Sequence, residues 1–166
     1  MIYEFGNDWI ETKEPKELRI KEKIFFETQK YAKLLQSYIL NWNIKQTITE
    51  KTIKKVKYRY IETILKDIEN EIKKFNEVVL KNEKQIAKIF YITFKGQKVL
   101  RHGEEFWNYL NSIFFEIPYF FDHRGNIIHL PSLGGIEEQE WEKMKIISLA
   151  QSGLKEVITE ANKKGR

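Results

Sequence analysis

Apolar residues recur every three or four positions over residues 53–79, where Ile53, Val56, Tyr60, Ile64, Ile68, Ile72, Phe75 and Val79 form one stripe. That period is helical, and Lys51, Lys55, Arg59, Glu62, Lys66, Glu69 and Lys73 occupy the opposite face. Glu62 with Lys66 and Glu69 with Lys73 add favourably oriented i,i+4 pairs. Thr47 and Thr49 are candidate N-caps, and Thr47 has the capping-box spacing to Glu50. An earlier helix is expected over residues 15–43. Pro15 suits its first turn, and Ile20, Ile24, Tyr31, Leu35, Tyr38 and Trp42 keep the helical spacing up to a break at Asn41-Trp42-Asn43. Neither stripe can be buried alone, so the two helices are expected to pair as an antiparallel hairpin.

Beyond residue 83 the pattern changes. Residues 89–94 are β-branched and aromatic and precede Gly96, which suggests a strand and turn; they also fit an extension of the helix to a C-cap at Gly96. Residues 104–115 read as a short aromatic helix ended by Pro118, and residues 119–130 as a β-hairpin around Arg124-Gly125-Asn126. After a Pro-Ser-Leu-Gly-Gly loop, a last helix spans about residues 137–163, with glutamates early and lysines late as the helix dipole favours. The expected fold is α+β and predominantly α-helical: one domain over residues 1–166. Its parts are a long helical hairpin (15–83) followed by a small α+β portion with a C-terminal helix (84–166).

Composition narrows the function classes. A chain of 166 residues can bury enough surface to fold without disulfides or a structural metal, and it has no cysteine for thiol chemistry or a zinc ribbon. The first residues lack the positive and apolar regions of a signal peptide, and no window reaches the length of a membrane span. The expected location is cytoplasmic or virion-associated, without membrane partners. The Lys, Glu and Ile excess is found in heat-adapted proteins and in proteins of AT-rich genomes alike. A net charge of +5 permits attraction to polyanions without demanding it.

Four groups of residues are candidates for chemistry or contact. His102, His123 and His129 share the second half with Arg101, Glu104, Glu105, Asp122 and Arg124, but their spacing matches no metal site, and neither metal nor cofactor is expected. Arg124 and His129 have the arginine, four residues, histidine spacing of the HEPN ribonuclease superfamily. In that family the pair lies on a helix, whereas Gly125, Ile127 and Ile128 favour a turn and strand here. Residues 45–59 hold six positive charges against Glu50 alone, and Lys51, Lys54, Lys55, Lys57 and Arg59 could track a phosphate backbone, although a solvated outer face is the favoured reading. Tyr60 belongs to the apolar seam and is expected in the core. Among the aromatics, Trp107, Tyr119, Phe120, Phe121 and Trp141 are candidate anchors for a protein partner, because large aromatics dominate interface hot spots.

One segment carries a family resemblance. Leu130-Pro131-Ser132-Leu133-Gly134-Gly135-Ile136-Glu137-Glu138-Gln139-Glu140-Trp141-Glu142-Lys143-Met144 resembles a Leu-Pro-x-x-Gly-Gly, apolar, x-x-Gln, x-x-x-x-Met pattern of small proteins from the structural modules of tailed phages. The two glycines allow a tight turn into a helix, Gln139 can serve its first turn, and Trp141 and Met144 begin its buried face. The resemblance implies a virion-assembly or tail-associated role. The expected function is therefore that of a non-enzymatic interaction or assembly protein of a phage or mobile element, self-association included. The alternative is a nucleic-acid-associated module, or an inhibitor of machinery such as a CRISPR effector, acting through the basic stretch. A nuclease built on His123, Arg124 and His129 is the third reading.

Overall fold

The computed structural model describes residues 1–44, 46–96 and 116–164, and over these the chain is predominantly helical with a small antiparallel sheet. It opens with an element the helical stripes did not announce. Strands β1 (Ile2–Phe5) and β2 (Asp8–Thr12) form a hairpin around Gly6 and Asn7, with Gly6 at φ +75° supplying the left-handed position such a two-residue loop requires. β3 (Ile39–Trp42) pairs with the other edge of β2, giving the order β1-β2-β3. Tyr3, Ile10 and Trp42 lie in register across the three strands, and all three are buried.

β3 corrects the reading of residues 15–43 as one helix. The segment consists of a 3-10 turn at Pro15–Glu17, α1 (Ile20–Glu27), α2 (Tyr31–Tyr38) and the strand. The break after α1 is a Schellman cap: Lys30 N–H donates to the Phe25 carbonyl, Gln29 N–H to that of Phe26, and Gln29 takes φ +56°. Glycine usually fills that position, so a glutamine there left no mark in the sequence. Ile39 and Trp42 continue the helical spacing of Leu35, which is why strand residues read as helix.

A second break falls between α3 (Glu50–Ile53) and α4 (Tyr58–Phe94). The cap of α3 is Thr49, not Thr47: its hydroxyl accepts from Thr52 N–H at 3.2 Å, while Thr49 N–H donates to the Thr52 hydroxyl at 2.9 Å. Continuing the helix through residues 54–57 would stack Lys51, Lys55 and Arg59 at i,i+4, a like-charge repulsion that favours the turn. α4 is 37 residues long and runs through residues 86–94, so those residues are helix, not strand. Ile86, Ile89 and Phe90 are buried at helical spacing, and Gly96 at φ +74° closes the end. α5 (Trp141–Lys164) is the C-terminal helix.

The chain divides into two compact units. The first, Met1–Lys74 with Gly134–Glu142, holds the sheet, α1 to α3 and the start of α4. Its α4 stripe closes over the sheet: the Tyr60 ring stacks on Phe5 with centroids 4.0 Å apart, and its hydroxyl donates to Asp8 at 2.8 Å. Tyr60, Ile64 and Ile68 are almost wholly buried, each contributing about 1.5–3 kcal/mol by leaving water. Residues 134–142 complete this unit by hydrogen bonds from Ile20 N–H to Gln139 O and from Trp141 N–H to Leu18 O.

The second unit is Phe75–Leu133 with Lys143–Arg166. Within it α4 and α5 run parallel, since Lys145 pairs with Glu83, Gly153 meets Ala87, and Glu160 accepts from Tyr91 and Lys95. The expected hairpin at residues 119–130 is reduced to a tight loop. Phe121 and Ile127 form a single bridge after a 3-10 turn at Ile117–Phe120. Asp122 accepts from the backbone of Arg124 and Asn126 and from the Asn126 side chain; the Asn126 backbone bond leads in holding its carboxyl below the usual range.

Candidate functional site

The first unit contains an open groove of about 480 Å³ bounded by the turn after α1, α2, α3 and the start of α4. Leu35, Ile53 and Ile61 supply its aliphatic lining; Leu35 and Ile53 are almost wholly buried core residues beneath it, and Ile61 is half-buried. Tyr31 and Tyr58 stand on its walls. Tyr31 is braced by Phe26, with ring centroids 6.1 Å apart, whereas Tyr58 is 76% exposed. Two local breaks in helical regularity border this space. Gln29 in its left-handed cap turns α2 away from α1, and the turn at residues 54–57 swings α4 off the line of α3.

Lys30, Lys33 and Lys54 line the groove against a single carboxylate, Glu50. None of the three lysines enters an ion pair among the described residues, although Lys13, Lys16, Lys21, Lys23, Lys66, Lys95, Lys143 and Lys145 all do. Glu50 and Lys54 even have the favourable i,i+4 spacing, yet they form no ion pair. The site therefore combines an aliphatic lining, two tyrosines and three lysines that form no ion pair among the described residues. Lys54 was already a candidate in the basic stretch; Lys30 and Lys33 carried no helical-period signal that linked them to it, because they come together with it only through the breaks.

The basic stretch does not form one track. Lys51, Lys54, Lys55, Lys57 and Arg59 are all exposed, but only Lys51 and Arg59 are helical, and Lys54 faces the groove. Lys57 and Arg59 instead lie over the Tyr60 ring, 5.5 and 5.2 Å from its centroid. Their charge is directed at the core tyrosine that seals α4 onto β1.

Of the aromatic anchors, Trp107 lies outside the described residues, as do His102 and Arg101. Tyr119 is 76% exposed, while Phe120, Phe121 and Trp141 are buried within the chain. Lys23 sits over the Trp141 ring at 5.2 Å, which places this tryptophan inside the first unit's own packing. His123, Arg124 and His129 are exposed on the Asp122 loop and the extended segment after it, with no helix to hold Arg124 and His129 together. Among the described residues, no three His, Cys, Asp or Glu side chains gather at metal-binding distance.

The Leu-Pro-x-x-Gly-Gly segment is a built turn. Gly134 takes φ +102°, and the fully buried Gln139 donates its amide to the Gly135 carbonyl at 3.2 Å. Gln139 thus closes a 3-10 turn at Ile136–Glu138 ahead of α5, which starts at the buried Trp141. Arg19 and Lys21 both pair with Glu138 and fasten this turn to α1. No helix among the described residues is long and apolar enough to cross a membrane. Compared with family models, curated proteins and solved structures, the chain matches none of them.

Proposed function

We propose that this chain is a non-enzymatic interaction protein of the kind used in virion or tail assembly, and that it holds a protein partner in the groove between α2, α3 and α4. The observation that carries this reading is the combination of an aliphatic lining with an exposed Tyr58 and three lysines beside a single glutamate. A groove whose centre is apolar and whose rim is charged is the common anatomy of a protein interface, and exposed tyrosine is a frequent anchor residue in one. The resemblance of residues 130–144 to phage structural-module proteins supplies the assembly context. The direct experiment compares the wild type with Ala32→Trp, which fills the groove from α2, in nuclease-treated pull-downs from the producing cells. Partners recovered by the wild type and lost by a stably folded Ala32→Trp support the proposal; equal recovery by both contradicts it.

A second reading, binding of single-stranded nucleic acid, has one observation in its favour. Tyr58 is exposed beside Lys54, Lys55 and Lys57, a stacking surface among cations. It predicts recovery that nuclease abolishes and binding that falls steeply with salt.

A further inference from the structure

We infer that the segment taken by the groove is acidic and carries at least one large apolar or aromatic side chain. This inference rests on the interaction reading and adds the partner's chemistry to it. The argument is one of complementarity. The lining presents Lys30, Lys33 and Lys54 against Glu50, and those lysines have no counter-charge among the described residues. Some lysines elsewhere are paired, as in Lys95 with Glu160 at 2.6 Å or Lys143 with Glu116 at 3.2 Å; what marks the groove is three lysines in one lining beside a single carboxylate. Three lysines against one glutamate give the lining a positive potential, and a partner's carboxylates complement it.

The apolar requirement comes from the rest of the lining. Leu35 and Ile53 are almost wholly buried beneath the groove, so the apolar surface open to a partner is that of half-buried Ile61 with the rings of Tyr31 and Tyr58. A polyanion without apolar groups would satisfy the lysines and leave that surface wet. A nucleic acid would stack on Tyr58, yet Lys57 and Arg59, the cations next to it in sequence, lie over Tyr60 instead. The acidic, apolar-anchored peptide answers all of these features together.

The test uses the full chain and a fluorescein-labelled peptide of glutamates with leucine and tryptophan at helical spacing. Three probes accompany it: the same peptide with serine in place of the apolar residues, its lysine counterpart, and a short oligothymidylate. The acidic amphipathic peptide should bind saturably, and the variant Lys30→Glu/Lys33→Glu/Lys54→Glu should lose about tenfold or more in affinity, as expected for several complementary charges removed together. The lysine peptide should gain affinity for that same variant, a rescue that a misfolded protein could not give. Equal binding of the serine peptide, tighter binding of the oligothymidylate, or self-association of the chain that blocks the groove overturns the inference. If the acidic peptide fails while Ala32→Trp still strips partners from the wild-type pull-down, the partner chemistry is wrong and the interaction reading stands; if Ala32→Trp strips nothing, the interaction reading falls with it.

Discussion

Gly153 lies against the backbone of Ala87 so closely that a β-carbon there would sit 2.8 Å from the Ala87 carbonyl oxygen and 2.8 Å from Tyr91 N. This approach sets the spacing of the parallel α4 and α5 segments in the second unit. In an open helix, glycine to alanine stabilises by about 1 kcal/mol. At this position backbone atoms cannot give way as a flexible side chain could. Gly153→Ala is therefore expected to lower stability by about 1–3 kcal/mol, the usual cost of overpacking. Thermal melting reads the sign directly, and a higher Tm would contradict the packing described.

Glu142 makes stability depend on pH. Burial, reinforced by Glu71 and Glu140 and opposed by Lys74 and Lys16, raises its pKa to about 8. An unfolded glutamate ionises near its ordinary value, so below about pH 4.5 both states hold the proton and there is no penalty. As pH rises towards 8 the unfolded state loses its proton first, and stability falls; above 8 the loss is complete. Glu142→Gln stays neutral, and its advantage over wild type should grow across that window to on the order of 2–4 kcal/mol. Urea melts at several pH values check this, and a gap that stays constant would refute it.

Lys13 and Glu22 form a buried pair at 2.5 Å, with side-chain exposures of 15% and 0%. Glu22 also accepts from Arg19 N–H at 2.9 Å and so fastens the start of α1. Lys13→Met alone should cost about 3–5 kcal/mol, because it strands a buried carboxylate. Lys13→Met with Glu22→Leu should recover most of that loss. A single variant as stable as wild type would show that the pair contributes nothing.

Gln29 at φ +56° occupies a conformation that glycine adopts without steric cost. Gln29→Gly should raise stability by up to about 1 kcal/mol. Since Gln29 also borders the groove, the same variant separates stability from binding. A melting temperature below that of wild type would mean that the glutamine side chain makes a compensating contact.

These sites show how far the pattern of apolar residues reaches. From Tyr60 to Val79 the stripe identified the seam of α4, because burial on one helical face leaves a period; its first two members, Ile53 and Val56, lie in α3 and in the turn after it, where the expected single helix breaks. The Gly96 C-cap was among the readings the sequence offered. The breaks were hidden for separate reasons: Gln29 stands where glycine is usual, and the turn at residues 54–57 contains neither glycine nor proline. The N-terminal hairpin did have a signal, since Gly6-Asn7 between Tyr3, Phe5, Trp9 and Ile10 is a two-residue loop flanked by apolar positions. Phe120, Phe121 and Trp141 show the opposite limit. Aromatic content alone does not distinguish an interface from a core, and these three are buried. The groove is a product of the breaks, so Lys54 was legible beforehand only as a cation of the basic stretch, and its meeting with Lys30, Lys33 and Tyr31 was not.

Because the chain has no cysteine, Ala32→Cys places a single reactive thiol on the groove wall. A polarity-sensitive dye attached there, titrated with the acidic amphipathic peptide, tests the site itself. The account predicts a saturable blue shift that disappears when Lys30, Lys33 and Lys54 are reversed in charge. A dye that reports no change while the peptide binds the chain elsewhere would contradict it.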